Sequence, residues 1–198
     1  NCAFIENNAG NSGGGMCNEH SSPTVANCTF SGNNSAGSGG GISNISTSSP
    51  IITKCTFRTN SAENGAGIYN ANAYGEMVTK TIFSGNNAVN QGGAMYNYSS
   101  SPKVFNCTFS GNDAGGEGGG MYNNSSWPTV TNCTFSGNIA CNLGGGMYNN
   151  SSSPNVANCI LWADTAPAGK EIYNDSSTPS ISYSNIEGGI TGTGNINE

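Results

Sequence analysis

The chain is 198 residues long, which suits one domain or two small ones, and only 8% of its residues are charged. Eleven acidic residues against five basic ones give a net charge of −6, so the clustered basic face that nucleic-acid binding requires is not expected. No segment approaches the roughly 20 consecutive apolar residues that cross a bilayer, so a membrane span is not expected either.

One motif repeats along the chain at an almost constant interval. The motif Asn-Cys-Thr-Phe-Ser-Gly-Asn at 27–33 recurs at 106–112 and 132–138, with degenerate copies between and beyond them. Successive repeats begin near residues 1, 27, 54, 80, 106, 132 and 158. A repeat that covers nearly the whole chain predicts a single domain over 1–198, with an irregular last partial coil over 183–198.

Each repeat holds three short segments with strand propensity. In chain order these are the Cys-Thr-Phe-Ser segment, a Met or Ile segment after a glycine block such as 39–41, and a Val or Ile segment after a proline such as Pro50. One repeat cannot bury its own apolar side chains, but coils stacked about 4.8 Å apart can. The sequence therefore predicts an all-β fold. It is a single-stranded right-handed parallel β-helix, or solenoid, of about seven coils of 26 residues with three short strands per coil.

Alternation within the first segment separates inner from outer side chains. Cys28 and Phe30 share one face, Thr29 and Ser31 share the other, and burial favours Cys and Phe inside. We expect a phenylalanine column, Phe30, Phe57, Phe83, Phe109 and Phe135, and a cysteine column that includes Cys28, Cys55, Cys107 and Cys133. The cysteine spacings match no zinc pattern. A buried reduced thiol column is favoured, and disulfide bridges between coils are the alternative.

A tyrosine column follows the glycine blocks and is expected to face outward. Its members are Tyr69, Tyr96, Tyr122, Tyr148 and Tyr173. An exposed stripe could bind sugar rings or another protein, and stacking of the rings on one another is the alternative. Cys17 holds the corresponding position in the first repeat, which makes it the candidate for a reactive or intermolecular thiol.

Asparagines recur where the chain must turn. One column includes Asn33, Asn86, Asn112 and Asn138, and a second begins at Asn18. Asn tolerates left-handed backbone angles, and its amide can bond to the coils above and below. A structural role for these columns is therefore favoured over ligand binding.

The sequence pattern assembles no set of catalytic or metal-binding residues. Glycosidase chemistry needs two carboxyl groups roughly 5 to 10 Å apart. Glu63 and Glu117 lie two coils apart, and Asp113 and Glu117, in one coil, are expected to solvate a loop. The only histidine, His20, has no nucleophile or second ligand placed beside it by a motif. No catalytic residue, metal or cofactor is predicted, and a polysaccharide-active enzyme is a distant alternative.

Two stretches of the chain resemble known surface proteins. The blocks at 30–33 and 92–95, Phe-Ser-Gly-Asn and Gly-Gly-Ala-Met, resemble the polymorphic outer-membrane protein repeats of chlamydial autotransporter passengers. The stretch from Cys159 to Gly189 is similar to the choice-of-anchor family of bacterial surface β-helix proteins. These resemblances imply a secreted, surface-attached bacterial protein in which such repeats form a longer passenger.

A non-catalytic extracellular structural protein is the leading functional hypothesis. A solenoid exposes unpaired backbone at its ends, so we expect a surface scaffold or filament subunit that stacks end to end. The expected partner is a second copy, head to tail, or adjoining β-helix repeats of a longer chain. A carbohydrate-binding or adhesin module that uses the tyrosine column is the alternative. Outward pairs such as Thr29 and Ser31 suggest ice binding as a distant alternative, although Arg58 interrupts their array.

Overall fold

Four short strands recur in nearly every coil of the computed structural model, which describes residues 1–196 and contains no helix in that range. The strands are, in chain order, β1 Ala3–Ile5, β2 Asn8–Ala9, β3 Met16–Glu19, β4 Thr24–Ala26, β5 Thr29–Ser31, β6 Asn34–Ser35, β7 Ile42–Ile45, β8 Ile51–Thr53, β9 Thr56–Arg58, β10 Ser61–Asn64, β11 Ile68–Ala71, β12 Met77–Thr79, β13 Ile82–Ser84, β14 Asn87–Gln91, β15 Met95–Tyr98, β16 Lys103–Phe105, β17 Thr108–Ser110, β18 Asp113–Ala114, β19 Met121–Asn124, β20 Thr129–Thr131, β21 Thr134–Ser136, β22 Ile139–Ala140, β23 Met147–Asn150, β24 Asn155–Ala157, β25 Ile160–Trp162, β26 Ile172–Asp175, β27 Ser180–Ser182 and β28 Asn185–Ile186. The predicted irregular last coil is thus described as far as residue 196.

The strands stack into four parallel sheets, which we number by their order within a coil. Sheet 1 is β1-β5-β9-β13-β17-β21-β25-β28, sheet 2 is β2-β6-β10-β14-β18-β22, sheet 3 is β3-β7-β11-β15-β19-β23-β26, and sheet 4 is β4-β8-β12-β16-β20-β24-β27. Each strand pairs with the equivalent strand one repeat away, as Phe83 does with Phe57 and Phe109. The parallel solenoid of about seven coils that the repeat predicts is confirmed.

The structure corrects the number of strands per coil from three to four. The additional strands form sheet 2, and several of them, such as β6 and β18, are only two residues long. Their inward residues are small, Ser35 in β6 and Ala114 in β18. Strands this short show no alternation of apolar and polar residues, so the sequence carried no signal for them.

The asparagine columns do not supply the left-handed backbone angles that the sequence suggested. In the first column those angles belong to the preceding residues, for example Gly32 with φ 64° and Gly111 with φ 59°. The following asparagines, including Asn33 and Asn112, point inward and are fully buried. Glycine takes the turn because it has no Cβ to clash in that region, which frees the asparagine side chain for the interior.

Three apolar columns fill the interior, and the phenylalanines form the widest. Neighbouring Phe rings between Phe4 and Phe135 stack with centroids 4.4 to 5.0 Å apart. A glycine column faces these rings: a Cβ on Gly120 would lie 2.9 Å from the Phe135 ring. The columns of Met and Ile in sheet 3 and of Val and Ile in sheet 4 complete the core. The inner faces predicted for the strands of sheets 1, 3 and 4 are therefore confirmed.

Candidate functional site

The first asparagine column forms a continuous hydrogen-bonded ladder along the interior. Asn112 Oδ1 accepts from the backbone N–H of Asn86 at 3.1 Å and from its Nδ2 at 2.8 Å. Asn112 Nδ2 donates to Asn138 Oδ1 at 2.8 Å and to the Phe83 carbonyl at 3.2 Å. Both donors and both acceptor sites of the amide are used, so this buried side chain has nothing left for a ligand.

The second asparagine column runs along sheet 3 in the same direction. Nδ2 of each member donates to Oδ1 of the next, from Asn18 to Asn174, at 2.8 to 2.9 Å. Every amide-to-amide bond in both ladders points from the first coil toward the last. The rod is therefore polar, with acceptor oxygens directed toward its N-terminal end.

The buried cysteines act as hydrogen-bond donors to the backbone. Each Sγ points to the carbonyl two residues earlier at 3.2 to 3.3 Å, as between Cys107 and Phe105. Thr81 and Ser184 occupy the same column, and their hydroxyls donate to the equivalent carbonyls at 2.9 Å. Since a hydroxyl replaces the thiol, the position needs a small donor rather than redox chemistry. A hydrogen bond with Cys107 and burial raise the pKa of Cys133 to about 12, and the same contact lowers the pKa of Cys107.

Cys17, the predicted candidate for an intermolecular thiol, is exposed and unbonded to another sulfur in the structure. Partial burial and the neighbouring Glu19 raise its pKa, which disfavours the reactive thiolate. Cys2 and Cys141 are also exposed. The intermolecular role of Cys17 stays a prediction.

The tyrosine column is stacked and largely buried, not an open stripe. Ring centroids of neighbours lie 4.8 to 5.7 Å apart, and Tyr96, Tyr122 and Tyr148 are only 8%, 4% and 7% exposed. Tyr69 and Tyr173 are half-buried at the two ends of the column. Because coils lie about 4.8 Å apart, each ring covers the face of the next. Of the two alternatives, mutual stacking is the observed one, and the middle rings offer a sugar no open face.

A pair of buried acids, which the sequence analysis missed, terminates the first ladder. Asp164 stands in the asparagine column, where its Oδ1 accepts from Asn138 N at 2.7 Å and from Asn138 Nδ2 at 2.8 Å. Glu171 stands in the glycine column, and its Oε1 accepts from Asp164 N at 3.1 Å. The Glu171 carboxyl thus takes the place of the next asparagine in the ladder. The sequence does carry a signal for this pair, because Asp164 follows Asn138 at the repeat spacing.

The electrostatics of this pair favour a bound proton. Asp164 and Glu171 are 2% and 4% exposed, and Oδ2 of the first and Oε2 of the second are buried without a hydrogen-bond partner. Burial raises both pKa values, that of Glu171 to about 9, and the adjacent Asp164 carboxyl adds to the rise at Glu171. The charge of Glu187 raises both further. One proton held between the two acids is the arrangement that these shifts describe.

A cavity of about 270 Å³ lies beside the pair at the C-terminal end of the rod. Its lining comprises residues 169–172 and 186–190. Glu171 belongs to this lining, but its unpartnered oxygen is shielded from solvent. The pair therefore cannot reach a substrate in this conformation, and its chemistry is that of a buried proton-linked cap.

Glu76 is a third buried carboxyl, and neither of its oxygens has a hydrogen-bond partner. It is 1% exposed and occupies the column that other coils fill with prolines such as Pro50 and Pro102. Burial raises its pKa to about 7. The side chain replaces an apolar ring in a coil near the middle of the rod, so its ionisation must cost folding free energy.

The buried acids predict that the protein loses stability as the pH rises. A raised carboxyl pKa means that the fold favours the neutral form. The stabilisation by the neutral carboxyl is fully present below the ordinary pKa of 4.5. It is lost as the pH rises through the raised pKa, which is about 7 for Glu76 and about 9 for Glu171. For Glu76 the loss is about 3 kcal/mol. We expect the melting temperature to fall between pH 4.5 and pH 9.

Isosteric amides test this assignment. Glu76→Gln should remove the decrease near neutral pH. Glu171→Gln should remove the alkaline one, because its amide can donate permanently to Asp164. Glu6→Gln, at an exposed carboxyl, serves as the matched control and should leave both decreases unchanged. A melting temperature that rises over the same range would contradict the prediction.

A comparison of the chain with protein-family models, curated proteins and solved structures finds no match. The two surface-protein families that the motifs resemble are thus not confirmed, whereas the parallel solenoid is. Over residues 1–196, no helix is long and apolar enough to cross a membrane. In the same range, no three His, Cys, Asp or Glu side chains form a group that could hold a metal ion.

Proposed function

We propose that the protein is a non-catalytic structural scaffold, a rod that extends by pairing its end with a further parallel coil. The observation that carries this proposal is the use of the polar and aromatic columns. Asparagine amides, cysteine thiols and tyrosine rings, the side chains best suited to binding or reaction, are engaged in contacts between coils. They stabilise the stack instead of forming a site.

The N-terminal end offers a specific surface for such pairing. Strands β1 to β4 are the outermost members of their sheets, and each pairs on one edge only. Asn7 and Asn18 begin the two ladders and donate toward the second coil. Their Oδ1 atoms therefore face outward as acceptors. The partner that fits is a parallel coil carrying asparagine donors at these two positions, as adjoining repeats would. A second copy stacked head to tail offers Asn174 at the second position and the acids Asp164 and Glu171 at the first.

The C-terminal end is partly covered by the chain itself. Asn195 Oδ1 accepts from Ser184 N at 3.1 Å, and its Nδ2 donates to the Ile181 and Ile190 carbonyls at 3.3 and 3.2 Å. Ile190 packs against the core. A second copy that docks at this end must displace the segment 187–196, so loosening that segment should promote head-to-tail stacking.

Light scattering over a protein concentration series tests end pairing. Phe4→Lys places a charge on the exposed side of the phenylalanine column at the N-terminal end and should abolish concentration-dependent growth in mass. Ile160→Lys changes an exposed outward residue in the body of sheet 1 and is the matched control that should keep it. Equal growth for Phe4→Lys and the control would refute pairing at this end. Depolymerisation of a polysaccharide by the purified protein would refute the non-catalytic role.

Secretion to the cell surface belongs to the same proposal. It is supported by the sparse charge and by the resemblance of the repeats to bacterial surface passengers. The adhesin alternative is less favoured, because stacking leaves only the half-buried Tyr69 and Tyr173 at the ends of the tyrosine column. Detection of the protein on intact producing cells by surface labelling, and its absence from their soluble interior, is the result expected.

A further inference from the structure

The exposed charges of the rod are segregated between two sides. The side formed by sheets 4 and 1 carries exposed Lys54, Arg58, Lys80 and Lys103, four of the five basic residues of the chain. All four lie in two consecutive coils. Away from the rod ends, the carboxyl groups of this side belong to Glu76 and Asp164, which are buried. We call these four residues the basic surface.

The basic surface is ordered by the coil stacking. Lys54 and Lys80 occupy the same corner between sheets 4 and 1 in consecutive coils, with φ 53° and 50°, and so lie about 4.8 Å apart along the axis. Arg58 pairs with Ser84 in sheet 1, and Lys103 pairs with Met77 in sheet 4. The four charges therefore flank one corner of the rod.

The opposite side, sheets 2 and 3, carries acidic residues. Glu63 and Asp113 lie in strands β10 and β18 of sheet 2, and Glu117 lies in the bend that follows β18. We call these three residues the acidic surface. Amide groups of adjacent coils hold two of these carboxylates in place. Gln91 Nε2 donates to Glu117 Oε2 at 2.9 Å, and Asn90 Nδ2 donates to Glu63 Oε1 at 3.1 Å. These contacts fix the positions of the carboxylates without neutralising their charge.

We propose that rods of this protein pack side by side, with the basic surface of one copy against the acidic surface of the next. On both surfaces the charged residues are separated along the rod axis by multiples of the same coil spacing. When two rods lie side by side, the charges of one can therefore be placed opposite those of the other. The two surfaces differ, so the contact is heterologous and leaves both outer sides free for further rods. The partner is a second copy because the chain itself supplies the complementary charges. This contact uses the sides of the rod and is independent of pairing at its ends.

Charge reversal separates this contact from every other mode of association. We compare the full chain with Lys54→Glu/Lys80→Glu and with Glu63→Lys/Glu117→Lys by sedimentation velocity at low and high salt. The unmodified chain should associate laterally at low salt, with affinity reduced at least about tenfold when the Debye length falls to roughly 8 Å. Each double variant alone should not associate laterally. Their equimolar mixture should, because each then offers what the other lacks.

Two results would overturn the proposal: salt-independent association that both variants retain, or a mixture that stays as dissociated as its components. Binding of an acidic polymer such as polyglutamate to the basic surface, with no lateral contact between copies, would also overturn it and would identify a polyanion as the occupant. Circular dichroism confirms that each variant is folded. If a reversal disrupts folding, Lys54→Gln/Lys80→Gln replaces it with the same expected loss. Phe4→Lys, which blocks the end, should keep the lateral contact, so failure of one contact does not imply failure of the other.

Discussion

Phe109→Ala should lower the free energy of unfolding by about 3–5 kcal/mol, the range for truncating a fully buried phenylalanine. Phe109 is fully buried and stacks between Phe83 at 4.8 Å and Phe135 at 4.4 Å. Removing the ring leaves a cavity that its neighbours cannot fill, because they are held at the coil spacing by their own strands. Both ring contacts are lost at once.

The location of this change should also alter the cooperativity of unfolding. Solenoid stability is approximately a sum over coils and their interfaces, so a weak interface in the middle divides the rod. We expect urea unfolding to broaden or to split into two transitions. Thr108→Ala, at the outward neighbouring position in the same strand, is the control and should stay within about 1 kcal/mol of the unmodified chain. A small, cooperative change for Phe109→Ala would contradict the packing described here.

Asn112→Ala should destabilise the protein by at least about 3 kcal/mol, although it removes only a few atoms. The substitution leaves the N–H of Asn86 without its acceptor and leaves Asn86 Nδ2 with only the Phe57 carbonyl. It also leaves Asn138 Oδ1 without one of its donors. These groups are fully buried, so water cannot replace the lost partner. The cost comes from the groups that remain, not from the one removed.

Asn112→Asp gives the same position a pH-dependent readout. The new carboxyl keeps an acceptor for Asn86 but, when ionised, offers no donor to Asn138 or to the Phe83 carbonyl. Protonation restores a donor, so this variant should regain stability at acid pH. Asn155→Ala, at an exposed position on β24, is the control for both substitutions. Equal urea midpoints for Asn112→Ala and Asn155→Ala would show that the ladder contributes nothing.

The sequence was sufficient for the architecture because every coil repeats the same information. The 26-residue interval fixed which residues stack, and alternation in segments such as 28–31 fixed which side chains point inward. Parallel, in-register stacking follows, since identical coils bury their apolar faces only against one another. Sheet 2 escaped prediction because its two-residue strands have too few positions to show a period.

The buried acids that the sequence did not reveal all depend on departures from the repeat. Asp164 and Glu171 are seven residues apart, yet they meet because one continues the asparagine column and the other enters the space beside it. For the tyrosines the sequence left an open outward stripe and mutual stacking as alternatives, and the stacking that aligns them also covers their rings. Glu76 replaces a proline and becomes buried, which charge alone would not indicate.

Negative-stain electron microscopy over a range of concentrations tests the scaffold role most directly. We expect short rods about 35 Å long at low concentration. These rods should join end to end into longer fibres as the concentration rises, more readily for Asn195→Ala and not at all for Phe4→Lys. Rods that stay single at every concentration, in the unmodified chain and in Asn195→Ala alike, would contradict the scaffold role.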